Sequence, residues 1–331
     1  MENQTTPTIT PPGLVPSMVS GFNAVTSNVS LILFPVVIDV LFWFGPHIRL
    51  EKLLNPAIDQ FITAVGELNR PDMQEMAITS ANLWKEYLQH FNLFTILSTF
   101  PIGIPSLVKG ILPIDTPIGT APVAELTSTA VAGLLWGFFI ILGLVLGSAY
   151  ISLIAKCVNP TNVTYSIQNI FREALQVILL TVTLLLILVL VSIPIIFMTA
   201  VIAIVSPGIA EIALFLAGLV ALWFLLPLVF SPHGIFMFKM NAFVAMITSA
   251  RFVRALLPGA SLFIMTVVIV MQGMNVIWTV PPEQSWMLMV GIFGHAFIST
   301  GLIASSFVFY QRGIIYIQSI LNTGIPTPSQ G

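Results

Sequence analysis

The chain has 331 residues, of which 57% are hydrophobic and 7% are charged, and its net charge at pH 7 is −2. A soluble domain carries roughly a quarter charged residues, so the composition excludes an ordinary soluble protein. It also offers no basic tract that would bind nucleic acid or an anionic surface. Cys157 is the single cysteine, which excludes an internal disulfide.

Several apolar runs are longer than the ~20 residues that a helix needs to cross the hydrocarbon core of a bilayer. The runs are continuous and do not alternate every second residue, a pattern typical of helices and not of barrel strands. The sequence therefore predicts an all-α, polytopic helical membrane bundle with six transmembrane helices.

Residues 1–16 are rich in proline and threonine and are predicted to form a disordered tail. The first span is predicted over residues 17–45. It contains the stretch LFPVVIDVLFWFGP, in which Asp39 is the only charged residue.

Residues 46–127 are predicted to form an outer segment that contains a pair of amphipathic helices. The first helix is expected to start at Pro56 behind an Asn55 cap, and the second at Pro71. Their apolar residues recur at helical spacing: Ile58, Phe61, Ile62, Val65 and Leu68, then Met73, Met76, Ala77, Ala81, Trp84, Leu88 and Phe91. The pair either lies on the membrane and caps the bundle, or forms a docking surface for a protein partner.

The stretch from 91 to 114 has two interpretations. Pro101, Pro105 and Pro113 would each interrupt a helix in lipid, and Lys109 would add a cost, which favours a re-entrant or interfacial segment. The alternative is a seventh span, which would place the amino terminus outside.

Residues 128–312 are predicted to form a five-span bundle, and residues 313–331 an interfacial helix and tail. The five apolar runs are 128–155, 176–205, 209–232, 258–280 and 286–310. Pro207-Gly208 and the sequence TVPPEQS are expected to separate neighbouring spans.

Lysine and arginine distribution predicts the orientation. The basic residues from Lys156 onward fall in connections on one side, which places both termini in the cytoplasm, and the cell (plasma) membrane is the expected location. These residues are Lys156, Arg172, Lys239, Arg251, Arg254 and Arg312.

Small residues on the second span have the spacing of helix contacts. Gly133 and Gly137, and then Gly143 and Gly147, form two G-x-x-x-G units that allow another helix to approach closely, within the bundle or across a homodimer. Trp and Tyr residues near span ends are interpreted as anchors at the membrane surface: Trp43, Tyr150, Trp278, Trp286 and Tyr310.

The strongly polar residues of the spans fall in the outer half under the six-span topology. A carboxylate inside a bilayer costs at least ~2.5 kcal/mol unless it is paired, protonated or wet. One hypothesis is a cluster in which Asp39 pairs with His295 while Gln272 and Asn275 supply hydrogen bonds and Glu211 lies at the same face. The alternative is that a carbonyl, a headgroup or water satisfies each residue separately.

No H-E-x-x-H, G-x-S-x-G or phosphate-binding glycine loop occurs in the chain. We therefore expect neither an enzyme nor a cofactor. The prediction is a non-catalytic membrane scaffold or accessory protein, with lipid and a protein partner at the outer helices. The alternative is a transporter or permease component that uses the polar cluster.

One stretch resembles a known family. The sequence LPLVFSPHGIFMFKMNAFVAMITSARFVRALLPG, about residues 226–259, is similar to the multi-span membrane domain of glycerophosphodiester phosphodiesterases and to related uncharacterised membrane families. The resemblance depends on a span that ends at proline and on Ala245, Ser249, Phe252, Val253 and Arg254. It implies a membrane-domain architecture and no activity, because the similar residues belong to the membrane domain of that family and not to its catalytic domain.

Overall fold

The computed structural model describes residues 10–67, 71–160 and 166–323. Helices account for most of this part of the chain, which confirms the predicted all-α polytopic class. Most of the predicted disordered tail, residues 1–9, lies outside the described residues, as do Leu68 and residues 324–331. Residues 14–16, which were predicted to belong to the tail, are helical, because the first helix begins at Leu14.

The predicted first span is bent. Helix α1 (Leu14–Thr26) and the helical segment that begins at Val29 and continues as α2 (Leu33–Phe44) meet at 90°. The side chains of Thr26 and Asn28 donate to carbonyl oxygens in the last turn of α1, at 3.0 and 2.9 Å. Such bonds compete with the continuing backbone ladder, so the helix is interrupted within the predicted first span, residues 17–45.

The two amphipathic helices form a hairpin, α3 (Glu51–Gly66) and α4 (Pro71–His90). The predicted start of α4 is confirmed, whereas the Asn55 cap is wrong because α3 begins at Glu51. Pro56 therefore lies inside α3 and costs it one backbone hydrogen bond. Lys85 on α4 reaches Asp59 on α3 at 2.6 Å.

Residues 91–114, which we call the inserted segment, are mostly irregular. They contain a 3-10 turn at Leu93–Leu97 and the single-turn helix α5 (Val108–Ile111). Neither is long enough to cross a bilayer, so the seven-span alternative is wrong. Leu93 and Ile104 are almost fully buried, so the segment is packed into the protein interior.

Short strands flank the inserted segment. Strand β1 (His47–Arg49) pairs in parallel with β4 (Val123–Glu125). Strands β2 (Asp115–Thr116) and β3 (Gly119–Thr120) form an antiparallel pair.

Most of the remaining helices follow the apolar runs, and two shorter ones lie largely between the runs 209–232 and 258–280. They are α6 (Thr129–Val158), α7 (Ile167–Val205), α8 (Pro207–Leu225), α9 (Ser231–Phe238), α10 (Ala242–Ala255), α11 (Leu257–Trp278) and α12 (Leu288–Thr323), with a 3-10 turn at Leu226–Leu228 after α8. Both predicted breaks, at Pro207 and at TVPPEQS, are confirmed. Helix α12 continues without a break through residue 313, where the sequence predicted an interfacial helix to begin.

Five helical stretches among the described residues are long and apolar enough to cross a membrane, or six if the bent α1–α2 pair is one span. The predicted six spans therefore require that pair to cross as a unit.

The chain divides into two compact units. The first takes in residues up to Asn28, Ile151–Val270 and the chain from Gly301 onward. Its core is an aromatic cluster in which Phe230 stacks on Tyr310 with ring centroids 5.8 Å apart. The stripe on α10 that carries the family resemblance packs into this core: Ala245, Ser249, Phe252 and Val253 are each buried.

The second unit comprises Val29–Tyr150 and Met271–Thr300. It contains α2, the α3–α4 hairpin, the inserted segment and both strand pairs. Trp43 is fully buried here, and its indole nitrogen donates to the carbonyl of Glu283 at 3.1 Å.

Three of the predicted membrane-surface anchors belong to the interior. Trp43, Tyr150 and Tyr310 each have no exposed surface. Their aromatic rings fill space in the core. A position near a helix end in the sequence does not reveal this burial. Trp286 is 60% exposed and remains available as an anchor.

Candidate functional site

Asp39 is fully buried on α2, and its carboxylate is bonded to the inserted segment. The backbone N–H groups of Leu107 and Val108 donate to its two oxygens, each at 3.1 Å, and the Ser106 hydroxyl donates to one of them. These donors stand at the amino end of α5, where backbone N–H groups have no helical partner. A carboxylate is a strong acceptor for such donors, so Asp39 caps α5.

A short chain of bonds extends this contact. The Ser106 hydroxyl oxygen accepts from the backbone N–H of Lys109 at 3.0 Å, and the Lys109 amine donates to the carbonyl of Ser98 at 2.6 Å. The Ser98 hydroxyl in turn donates to the carbonyl of Ile104. The inserted segment is thereby closed on itself and tied to α2 at Asp39.

The inserted segment also packs closely against two glycines on α6. A β-carbon at Gly143 would lie 2.5 Å from the carbonyl oxygen of Leu97, and one at Gly147 would fall on the carbonyl oxygen of Ile102. The inserted segment therefore approaches α6 closely at these two positions, and it is irregular chain and not the helix that the G-x-x-x-G spacing predicted. Gly133 and Gly137 meet nothing within 4 Å among the described residues.

The predicted pairing of Asp39 with His295 is wrong. His295 is bonded through Nδ1 to the side-chain oxygen of Asn275 at 2.9 Å, and Asn275 donates to Gln272 at 3.2 Å. The structure thus brings three of the five predicted cluster residues together on α11 and α12. Asp39 takes its partners from the inserted segment, because three donors at the end of α5 already satisfy its carboxylate.

Glu211 does not join these residues. It lies on α8 in the first unit, and its side chain is exposed. The prediction placed it with the cluster only because it opens a span on the same side.

Sequence reasoning missed an ion pair in the first unit. The amine of Lys239 contacts the carboxylate of Glu173, whose side chain is 3% exposed. Gln176, one turn further along α7, accepts from the backbone N–H of Ala242 at 2.8 Å. These contacts join α7 to the connection between α9 and α10. The signal in the sequence is weak, because Glu173 is one of several polar residues in IQNIFREALQ, the approach to a span.

Other histidine side chains also make polar contacts, among them His233 and His47. His233 is bonded through Nε2 to the Ser306 hydroxyl at 2.7 Å, within the first unit. His47 on β1 is bonded through Nε2 to the carbonyl of Phe42 at 3.2 Å. Burial lowers the pKa of His47 below its ordinary value of 6.5; Arg49 acts in the same direction, and the Phe42 carbonyl and Glu283 partly oppose it.

In the described ranges, no group of three or more His, Cys, Asp or Glu side chains is placed to hold a metal ion. The polar side chains of the helices form caps, pairs and hydrogen-bonded amides. This geometry fixes backbone segments in place.

No family model, curated protein or solved structure matches the chain. The similarity of residues 226–259 to the phosphodiesterase membrane domain therefore stays a prediction.

Proposed function

We propose that this protein is a non-catalytic integral membrane scaffold or accessory protein, and that the ionisable residues within its apolar helices are structural. The proposal depends mainly on the Asp39 anchor. A carboxylate that accepts three hydrogen bonds from one segment already has its partners, whereas a transport site must release and rebind its ligand.

The other buried ionisable residues support the same conclusion. Glu173, His233 and His295 each have a bonded partner within their own unit. When such a group holds two helices together, exposing it to water or changing its charge during a transport cycle costs free energy.

The alternative, a transporter or permease component, is supported by the 90° break between α1 and α2 and by the irregular inserted segment. Discontinuous helices near a carboxylate are features of many transporters. This alternative requires Asp39 to exchange its bonds during a cycle.

Reconstitution into liposomes separates the two functions. We expect purified protein to give no pH-driven flux of protons or cations above empty liposomes. A flux that is present in the unaltered chain and lost in Asp39→Asn, with Asp59→Asn unaffected, would establish transport and overturn the scaffold proposal.

The scaffold proposal includes a protein partner at the polar face of the α3–α4 hairpin, where Asp59, Glu67, Glu75 and Glu86 are exposed. Cross-linking followed by native electrophoresis of the membranes should show the protein in a larger assembly. Glu75→Lys with Glu86→Lys should reduce that assembly, and a partner-free monomer in the native membrane would contradict the proposal.

The proposal also places both termini in the cytoplasm and the protein in the plasma membrane, supported by the distribution of lysine and arginine. Cysteines introduced at Asn82, which is exposed and lines neither cleft of the hairpin, and at Ser319, in a chain with Cys157→Ser, should react with an impermeant reagent from opposite sides. Equal reactivity from one side would contradict this topology.

A further inference from the structure

Two apolar clefts adjoin helix α4 in the second unit and share Ser80 and Trp84. The first lies between α3 and α4 and has a volume of about 620 Å³. The second, also about 620 Å³, lies between α4 and α6 and includes Phe91, which follows α4. Both volumes fall within the range of about 300–1,000 Å³ that is typical of ligand clefts.

The linings of both clefts contain no charged side chain. In the first cleft, Phe61 is 55% exposed and Met76 is 67% exposed. The charged groups of the hairpin lie elsewhere, as in the exposed pair between Lys85 and Asp59. A basic or acidic peptide would therefore find no counter-charge in the clefts, whereas an uncharged hydrocarbon chain matches their chemistry.

The second cleft opens onto a helix that is long and apolar enough to cross the membrane. Trp136 of α6 lines the cleft and is 45% exposed, and its neighbours Leu134 and Phe138 are 76% and 57% exposed. Apolar surface of this kind on a spanning helix is covered by lipid. The surface of the clefts is thus continuous with the lipid-facing surface of α6.

Aromatic residues at the junction have the character of a membrane interface. Trp84 and Tyr87 pack edge to face with ring centroids 6.0 Å apart, and both line the second cleft with Trp136. Trp and Tyr are enriched where the hydrocarbon core meets the headgroups.

We propose that the two clefts, together called the groove, bind acyl chains of bilayer phospholipids. The α3–α4 hairpin then lies at the membrane surface with the groove facing the hydrocarbon. The charged groups of the hairpin lie outside the groove and remain available to water. Because no cationic residue lines the groove, its binding does not depend on anionic headgroups, in contrast to basic interfacial helices.

This inference goes beyond the scaffold proposal and is independent of it. Lipid in the groove positions the hairpin, while any protein partner binds the opposite, charged face. The groove can therefore fail as a lipid site without affecting the absence of flux or the assembly measured above.

The test uses the full chain in nanodiscs that contain phosphatidylcholine with bromine on the acyl chains, which quenches tryptophan on contact. The contribution of Trp84 is obtained by difference from Trp84→Phe. We expect brominated acyl chains to remove most of the Trp84 emission, and aqueous iodide to leave it largely unchanged. Trp223 on the spanning helix α8, 63% exposed, is the matched lipid-facing control through Trp223→Phe.

A second variant keeps the test independent of the folding of Trp84→Phe. Phe61→Trp added to the otherwise unchanged chain places a new indole in the first cleft, and its added emission should be quenched by brominated acyl chains. Replacing part of the phosphatidylcholine by phosphatidylserine should not increase the quenching.

The opposite pattern overturns the proposal. If iodide quenches the emission of Trp84, or the emission added by Phe61→Trp, and brominated lipid does not, the groove is open to water, as a site for a soluble peptide requires. Emission insensitive to both quenchers would show a groove covered by protein, such as a second copy of the chain.

Discussion

The carboxylate of Asp39 accepts a hydrogen bond from the backbone N–H of Leu107 at 3.1 Å, across 68 positions of sequence. This bond and its neighbours explain how a carboxylate is tolerated in an apolar helix. The three donors of the inserted segment supply the hydrogen bonds that water would otherwise provide. In return, Asp39 satisfies N–H groups of α5 that lack a helical partner.

Asp39→Asn should destabilise the protein by about 1–3 kcal/mol. The amide has one acceptor oxygen where the carboxylate has two, so a buried donor loses its hydrogen bond. Unfolding midpoints in a mild detergent measure the effect. The exposed carboxylate in Asp59→Asn is the matched control and should cost no more than about 1 kcal/mol. Equal losses for the two variants would contradict the anchor.

The four glycines of α6 should divide into two pairs. Gly143→Ala and Gly147→Ala each place a methyl group against a carbonyl of the inserted segment and should lower the unfolding midpoint. Gly133→Ala and Gly137→Ala meet open space and should be neutral or stabilising by up to about 1 kcal/mol, since Ala favours a helix. The same four variants run on native electrophoresis test the predicted homodimer: loss of a dimer in Gly133→Ala or Gly137→Ala would place an interface there.

Local sequence patterns were sufficient for most of the helices. Hydropathy and proline position predicted the breaks at Pro207 and TVPPEQS, because these depend on neighbouring residues alone. The 90° bend after Thr26 was missed, because the polar residues Thr26 and Asn28, whose side chains bond to carbonyls in the last turn of α1, were not interpreted as a helix end.

The polar contacts were less predictable. The sequence singled out Asp39 and His295 because ionisable residues are rare in spans, and both proved to be buried. The predicted pairing of these two residues was wrong. The observed partner of Asp39 lies 68 positions away, and its placement depends on how the inserted segment folds. Glu173 was missed for the same reason, since Lys239 lies 66 positions further along the chain.

The ion pair between Glu173 and Lys239 should show strong coupling. Lys239→Met leaves a carboxylate that is 3% exposed without its partner, and such a change costs roughly 3–5 kcal/mol. Adding Glu173→Gln should restore part of the loss, because the unpaired charge is gone. A double-mutant cycle on unfolding midpoints measures the coupling, and additive losses would contradict a direct pair.

His47 should make the β1–β4 pair sensitive to acid. Its pKa is lower in the folded protein than its ordinary value of 6.5, so the unfolded chain binds the proton more readily. The stability that His47 contributes is therefore complete above about pH 6.5 and decreases as the pH falls through that value toward the folded pKa. Hydrogen exchange at the amides of β1 and β4, corrected for the intrinsic effect of pH, should accelerate between about pH 7 and pH 5 relative to the β2–β3 pair. His47→Gln retains an N–H donor for the Phe42 carbonyl but does not titrate, and it should remove this acceleration; an unchanged pH dependence in that variant would assign the effect to another group.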